Sequence, residues 1–572
     1  MYTIQKIKQN IVNKINNVET HCNASPQDLV LPPNPEMGDL SYPCFNLAKS
    51  QKKNPAEIAS ELAKRIKTCQ TVKEIKAVGP YLNFTLQPKK LAQEVIGEIK
   101  KKGYGAANIG KNRKIIVEFA HPNTHKAFHI GHLRNIITGE AVCRILENAG
   151  YKVTRANYQG DVGLHIAKCL WGITQLKRKF AKAAKEKDIN KKAAFLGKAY
   201  AFGSGKFEAN EEVKKEIKEI SQRIYNNDES IREVYLETRK WSLDYFAKIY
   251  KRVNTKFDRL YFESEVFADG KKIVMDGMKK GIFKASEGAI IFEGDKHGLH
   301  NRVFINSESN PTYEAKDMAL AKLQFKEYNP DKIIHVVGPE QKEYFKVIIK
   351  ALEYVLPKSK EREQHLPYGW VRLKEGKMSS RLGNVILGEW LLDEVKKEIA
   401  KIVKKNKELD NKNELSEKIS LAAVKYSILK TGLTRDIAFD IKESISLSGN
   451  SGPYLLYTYA RIQSILRKVE THSNASVQET HSNASVRSEE KNILFKMSLF
   501  PEVARESAEK LEPSLIARHL FELSQQFNDY YHATPVLKAE KEREFRLALI
   551  RALAQVLKQG IELLGFETVE KM

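Results

Sequence analysis

Apolar positions along the chain fall into three regimes. At the start, Ile4, Ile7, Ile11 and Ile15 recur at helical intervals and form one stripe for a core. Pro32-Pro-Asn-Pro35 interrupts that pattern. A helix is predicted from Pro55, because proline is tolerated at the first helical position, and residues 79–86 alternate as a strand does. The second regime opens with Lys114-Ile-Ile-Val-Glu-Phe119, a β-branched run expected to be a buried strand. Leu133, Ile137, Ala141 and Ile145 then mark a helix that Gly150 would stop, and residues 151–157 read as a second strand. Strand, loop, helix, strand is a βαβ unit, which predicts a parallel sheet with the loop at the carboxyl end of its strand.

From about 171 to 260 the sequence is helical and charged, with Lys177-Arg-Lys-Phe-Ala-Lys182 as a basic run that suits a solvated face first and a nucleic-acid contact second. Strand composition returns at 288–292, 302–305 and 332–337. The third regime, after about 390, is nearly all helical. It includes a helix opened by Pro453, one carrying Ile516, Leu520, Leu523, Phe527 and Tyr530, and one carrying Leu549, Leu553 and Val556. The expected fold is a multidomain α/β protein. A small α/β domain over 1–110 precedes a Rossmann-like parallel-sheet domain over 111–390, with a helical insertion over about 171–260, and an all-α bundle follows over 391–572.

Length and charge narrow the function. A chain of 572 residues can build three or four domains with substantial cores. Its 96 basic and 71 acidic residues leave a net charge of +25, which favours a polyanionic partner unless the excess reflects a lysine-rich proteome. No apolar run approaches the roughly 20 residues of a membrane span, and the first residues lack a signal-peptide core. The five cysteines, at 22, 44, 69, 143 and 169, form no CxxC pair, which argues against zinc and a disulfide framework and for a reducing cytoplasm.

The loop of the βαβ unit ends in His129-Ile-Gly-His132. Histidines three apart at a helix start point the same way, beside unpaired N–H groups and the positive end of the helix dipole. Gly131 leaves room for a flat ring against the backbone. These features suit a nucleoside triphosphate. On spacing alone, two other readings stay open: a metal cluster of His121, His125, His129 and His132, and plain polar surface. No HExxH-type acid follows, however, and Pro122 prevents one continuous helix.

Three more groups carry candidate chemistry. Tyr313 and Asp317 stand one helical turn apart, either as paired recognition groups or as a carboxylate favoured at a helix start. A glycine-flanked stretch holds Lys377, Met378, Ser379, Ser380 and Arg381, suited to covering phosphates or simply to a basic turn. Tyr454, Tyr457 and Arg461 share a helix face that suits stacking on unpaired bases or core packing.

Residues 117–134 resemble the nucleotide-binding signature of class I aminoacyl-tRNA synthetases. Glu118 with Pro122-Asn123, Lys126, His129 and Gly131-His-Leu-Arg134 is similar to the arginyl-tRNA synthetases among them. Gly160-Asp-Val-Gly163 resembles that family's Gly-Asp-Trp-Gly-Thr-Gln, with Val162 and His165 in place of tryptophan and glutamine. The Lys377–Arg381 stretch resembles the second class I signature, with Ser380 where a second lysine is usual. The stretch from Ser444 resembles the opening of the anticodon-binding bundle, and residues 1–110 resemble the domain that touches the tRNA elbow.

This resemblance implies a ligase that activates L-arginine with ATP and transfers it to the 3′ end of tRNA(Arg). It assigns catalysis to His129, His132, Lys377 and Arg381, and ATP binding to His129, Gly131, His132, Lys377, Met378, Ser379 and Ser380. Glu118, Tyr313 and Asp317 would grip the guanidinium, a planar cation that needs carboxylates in a fork. Asn123 and Gln341 would hold the α-amino group, with Tyr344 standing where the family has histidine, and Tyr454, Tyr457 and Arg461 would meet tRNA.

Mg²⁺ is expected to accompany ATP as substrate, with no bound metal or prosthetic group, no membrane partner and a monomeric state. Two rivals are a class I synthetase for glutamate or lysine, which would lack the Glu118, Tyr313 and Asp317 set, and an inactive tRNA-binding paralogue, which could lose the histidines. Tandem copies of Glu-Thr-His-Ser-Asn-Ala-Ser-Val from Glu470 and Glu479, with a near copy from Glu19, read as surface loop neutral to function.

Overall fold

The computed structural model describes residues 1–19, 23–374, 386–470, 485–534, 536 and 542–572. The first part holds a three-stranded antiparallel sheet of β1 (Leu40–Pro43), β2 (Val72–Val78) and β3 (Tyr81–Leu86), in the order β1-β3-β2. Helices Thr3–Val18, Pro55–Arg65 and Pro88–Ile99 cover it, and the Ile4, Ile7, Ile11, Ile15 stripe faces that core. Helix Pro55–Arg65 starts where the pattern requires, with Asn54 Oδ1 accepting the Ala56 N–H at 2.9 Å as its cap.

The next strands are β4 (Lys114–Glu118), β5 (Lys152–Gln159) and β6 (Arg259–Phe262), followed by β7 (Lys284–Ser286), β8 (Ala289–Phe292) and β9 (Arg302–Ile305), then β10 (Lys332–Val337) and β11 (Glu363–Pro367). β4, β5, β6, β10 and β11 form one parallel sheet in the order β11-β10-β4-β5-β6. The strand order turns back at β4, so the crevice beyond its carboxyl end is a topological switch point where open α/β sheets bind ligands. The strands at 289–292 and 302–305 stand apart from this sheet; β7, β8 and β9 form a small antiparallel sheet of their own.

Both faces of the sheet are covered, which is why β4 and β10 are apolar runs rather than alternating ones. Ile115 and Val117 pack toward helix Ile130–Asn148, with Leu133, Ile137 and Ala141. Ile116 and Ile333 point the other way, into a core with Tyr261, Val274 and Met318 under helices Glu263–Lys279, Tyr313–Glu327 and Lys342–Val355. Because side chains alternate, Glu118 and His335 fall on that second face, and they are direct register partners.

The segment between β5 and β6 is helical: Leu164–Gln175, Lys177–Ala184, Ile189–Ala209, Glu211–Tyr225 and Glu229–Arg252, around Trp171, Phe195, Ile217 and Trp241. Gly172 and Gly203 allow two of these helices to cross closely; a Cβ would lie 2.1 Å from Ala199 O and 2.0 Å from Lys168 O respectively.

β12 (Val371–Leu373) pairs in parallel with β13 (Ile437–Phe439), and the helical half lies around that pair. Helices Gly388–Lys405, Lys412–Leu429, Gly452–Glu470, Ser488–Ser498, Phe500–Lys510, Ser514–Ala533 and Arg543–Leu563 share one apolar core with the N-terminal part. Buried polar ties reinforce the joint, including Lys491 Nζ to Asp39 at 2.9 Å and the Tyr104 hydroxyl donating to Met497 O at 2.9 Å. Among the described residues, no helix is long and apolar enough to cross a membrane.

Candidate active site

The loop that leaves β4 is held in an unusual path. Ala120, His121 and His125 all have positive φ, at 78°, 48° and 63°. Such non-glycine conformations cost on the order of 1–3 kcal/mol each and persist only where surroundings over-determine them. Here they do: the Ala120 N–H donates to Asn135 Oδ1 at 2.6 Å, His121 N–H to Asn157 Oδ1 at 3.2 Å, and His125 N–H to Ser242 Oγ at 2.9 Å. Asn135 also donates to Val336 O at 2.8 Å, so one side chain ties the ends of β4 and β10.

His125, one of the four candidate metal ligands, is instead a buried structural group. Its ring nitrogens contact Thr124 Oγ1 at 3.1 Å and Thr238 Oγ1 at 2.8 Å, and burial lowers its pKa to about 3. His121 keeps Nε2 buried without a hydrogen-bond partner, close enough to Glu118 to feel its charge.

His129 is the cap of helix Ile130–Asn148 rather than part of it. Its Nδ1 accepts the Gly131 N–H at 3.1 Å and the His132 N–H at 3.3 Å, while His132 Nδ1 accepts the His129 N–H at 3.2 Å. With both Nδ1 atoms accepting, each neutral ring carries its proton on Nε2. Burial, reinforced by Lys126 for His129 and by His129 for His132, lowers both pKa values and keeps the rings neutral. The pair therefore offers two N–H donors beside a helix N-terminus. Gly131 is required by the cap itself, since a Cβ there would sit 2.9 Å from the His129 ring.

The same loop meets the chain beyond residue 385. Ile130 N–H donates to Ile386 O at 2.8 Å and Gly388 N–H to Phe128 O at 2.9 Å. Lys377, Met378, Ser379, Ser380 and Arg381 lie outside the described residues. Two residues past His132, the buried Arg134 guanidinium donates to Trp370 O at 2.7 Å, Leu433 O at 2.9 Å and Arg435 O at 2.8 Å.

Across the crevice the site is acidic. Asp317, half-buried on helix Tyr313–Glu327, accepts from the Tyr344 hydroxyl at 2.6 Å. Burial and the nearby Glu118 charge raise its pKa to about 7, against that hydrogen bond. Glu118 is 3% exposed; its Oε2 accepts from Gln324 Nε2 at 2.5 Å and its Oε1 lies 3.1 Å from His335 Nδ1. Burial would raise its pKa, but His335, with His121 and Gln324, lowers it overall. The Tyr158 hydroxyl is buried without a partner, among the charges of Glu263, Asp317 and Glu118.

Tyr313, at the helix start, is 58% exposed, and Lys316 lies 4.5 Å over its ring while pairing with buried Glu263 at 2.7 Å. Asn123 abuts Gly160, where a Cβ would fall 2.2 Å from its Oδ1. Gln341 is exposed at the end of the turn Pro339–Gln341 that follows β10.

Several groups had no role assigned from the sequence. Asp161 is a structural anchor: it accepts from Arg239 Nε at 2.8 Å and from Ser264 N–H at 2.8 Å. His165 and Val162, the departures beside it, are buried, and burial lowers the His165 pKa to about 3. His335, Gln324 and Glu363 join Glu118 in one network, with His335 Nε2 2.7 Å from Glu363 Oε2. The signal was present in Ile333-Ile-His-Val-Val337, where a titratable residue interrupts an apolar strand.

In the helical half, Tyr454, Tyr457 and Arg461 share a face of helix Gly452–Glu470 and are half-buried. Arg461 donates to Asn528 Oδ1 at 2.6 Å and to the Tyr457 hydroxyl at 2.8 Å, and its guanidinium lies 4.7 Å over Tyr457 and 5.4 Å over Tyr531. Tyr457, Arg461 and Tyr531, with Lys571 and Met572, line a cavity of about 430 Å³.

Comparison with known proteins shows the family. Residues 94–441 match the family model for tRNA synthetases class I (R), catalytic domain; residues 455–572 match the DALR anticodon binding domain, and residues 5–86 the arginyl tRNA synthetase N terminal domain. An arginine–tRNA ligase of Clostridium perfringens is 33% identical over 99% of this chain and 99% of its own, and one of Halothermothrix orenii is 34% identical over 95% of each. The solved arginyl-tRNA synthetase of Thermus thermophilus superposes with a TM-score of 0.80 at 26% identity, covering 99% of this chain and 100% of that one. With the catalytic model matched over more than half of its length and such relatives along nearly all of it, the chain belongs to the arginyl-tRNA synthetases of class I.

Proposed function

We propose that the crevice beyond β4, β5 and β10 activates L-arginine with ATP and passes the arginyl group to the 3′ end of tRNA(Arg). In the first step an oxygen of the arginine carboxylate attacks the α-phosphorus, and the bond to the bridging oxygen of pyrophosphate breaks. In the second, a 3′-terminal ribose hydroxyl attacks the arginyl carbonyl; AMP leaves and the hydroxyl gives up its proton. Little covalent work falls to side chains, so positioning and charge stabilisation carry the rate.

His129 and His132 donate from Nε2 to phosphate oxygens at the positive end of the helix dipole, whose first N–H groups are already taken by the cap and by Ile386, and Lys377 and Arg381 balance charge as pyrophosphate departs. Met378, Ser379 and Ser380 complete the ATP-binding set that the family resemblance implies. Mg²⁺ arrives with ATP as substrate and supplies charge neutralisation at the phosphates. Glu118, Asp317 and Tyr313 receive the guanidinium, and Asn123 and Gln341 the α-amino group. The observation that carries this reading is Asp317, a half-buried carboxyl held by Tyr344 and facing Glu118, because a paired acidic site buried this way suits a planar cation.

tRNA is bound along two regions that carry aromatic rings. Tyr457, Arg461 and Tyr531 surround a cavity large enough for an unstacked base, and exposed Phe45 and Tyr81, 5.6 Å apart, suit the tRNA elbow. The enzyme works as a cytoplasmic monomer, in keeping with four cysteines in no disulfide among the described residues and both halves of the site on one chain.

The test is pyrophosphate exchange into ATP with arginine, lysine or glutamate, with and without total tRNA. Exchange with arginine alone is expected. Exchange with another amino acid overturns the roles of Glu118 and Asp317, and folded protein that binds tRNA but shows no exchange would make it a binder rather than a ligase.

A further inference from the structure

We propose that His335 is a positioning residue for arginine recognition, clamped between Glu363 and Glu118 so that it fixes the Glu118 carboxylate as the floor of the arginine pocket. The inference rests on the reading that Glu118 and Asp317 receive the guanidinium.

Register brings these groups together. His335 on β10 is the direct partner of Glu118 on β4 and of His365 on β11, and Glu363 lies two positions before His365, so all four point to one face of the sheet. Glu118 is held from beneath on both oxygens, by His335 Nδ1 at 3.1 Å and by Gln324 Nε2 at 2.5 Å. Two bonds to two oxygens set both the rotamer and the plane of a carboxylate. Each oxygen keeps a second lone pair, and a guanidinium can use those.

The far side of the imidazole is fixed in turn by Glu363 at 2.7 Å, and Phe345 lies 5.0 Å from the ring. Between two carboxylates His335 stays protonated, its pKa pushed up to about 10 against the effect of burial. Glu118, Asp317, Gln324, His335 and Glu363 line a cavity of about 20 Å³. That space has room for one water and not for a guanidinium, so the substrate would meet the carboxylates from the crevice side rather than below Glu118.

A buried carboxylate–imidazolium–carboxylate chain is poorly explained by stability alone. Apolar residues of similar volume do as well or better in a core, and the neighbouring strand positions Ile333, Ile334, Val336 and Val337 are apolar. Its effect on Glu118 is specific: the carboxylate is kept ionised and oriented before the substrate arrives, which lowers the cost of ordering on binding.

The experiment uses the full chain, saturating tRNA and pyrophosphate exchange, comparing wild type with H335A, H335N, E363Q and E118Q. H335A should raise the arginine KM roughly tenfold or more, with the ATP KM within about twofold of wild type. H335N should fall between them, because its amide N–H can replace Nδ1–H toward Glu118 without the charge. Should H335A fail to fold, E363Q, which is isosteric and removes only the outer clamp, carries the same expectation at smaller size. An unchanged arginine KM in H335N and E363Q, with only thermal stability lowered, overturns the proposal. If E118Q also leaves the arginine KM unchanged, the fault lies instead with the assignment of Glu118 as a substrate contact.

Discussion

The rings of His129 and His132 lie face to face, with centroids 3.7 Å apart and planes 19° from parallel. Each Nδ1 is spent on a backbone N–H of the other's segment, so the two Nε2–H groups point away from the helix start together. In the proposed site His129 thus has two separable jobs. His129→Ala should lose the helix cap, about 1 kcal/mol of stability, and one phosphate donor, about 100-fold in kcat for exchange. His129→Asn keeps a capping oxygen and should recover the stability while kcat stays low; urea unfolding and exchange kinetics on the same preparations separate the two.

As a receiver of the guanidinium in the proposed site, Asp317 should make arginine binding pH-dependent. Its folded pKa is raised to about 7 in the substrate-free site, and a guanidinium pairs with the ionised form. The carboxyl is ionised above pH 7 and protonated below it. The arginine KM should therefore be flat above about pH 8 and climb as pH falls through 7, approaching about tenfold per unit at the acid end. Asp317→Asn should show a higher KM without that climb, measured from pH 5.5 to 9 with ATP saturating. A wild-type profile as flat as the variant's would remove Asp317 from the recognition site.

Arg461 stands over Tyr457 and Tyr531 at the edge of the C-terminal cavity. Tyr457→Ala should raise the tRNA KM on the order of tenfold, the scale of one lost base stack, and Tyr457→Phe should raise it less. Arg461→Ala should do the same and also flatten the dependence of tRNA affinity on salt. The arginine KM should not move in any of the three.

Gly139 is fixed by packing rather than by backbone conformation. A Cβ there would lie 2.3 Å from the ring of Phe119, itself fully buried and 4.7 Å from Phe257. Gly139→Ala should cost about 1–3 kcal/mol, read as a lower midpoint in urea with an unchanged slope.

How much of this was legible in the sequence depended on how local each signal was. β4, its loop and helix Ile130–Asn148 could be read because a β-branched run and an apolar 3.6-residue period lie next to each other in the chain. The edge strands β6 and β11 could not: Arg259-Leu-Tyr-Phe262 and Glu363-Gln-His-Leu-Pro367 are short and mixed, and only pairing with a neighbour makes them strands. Strand composition at 288–292 and 302–305 was visible, but composition does not reveal strand partners, so the separate sheet of β7, β8 and β9 was not.

The site divides in the same way. His129 and His132 announced themselves by spacing, while their reciprocal Nδ1 bonds needed coordinates. The partner of Glu118 lies 217 residues away, and nothing short of strand register connects the two. Tyr344 was noticed only as a departure from the family pattern; its bond to Asp317 gives it a role.

Arg134 gives its charge to three backbone carbonyls drawn from two chain segments, at Trp370 and at Leu433 and Arg435. A single carboxylate partner could swing with the arginine side chain. Carbonyls at the entrance to β12 and before β13 can follow only if their whole segments travel with it. Torque applied to the helical half by a docked nucleic acid therefore has no slack to take up before it reaches the helix that carries His132, two residues upstream. The helix start that carries the two histidines and the base of the bundle are held together by one guanidinium.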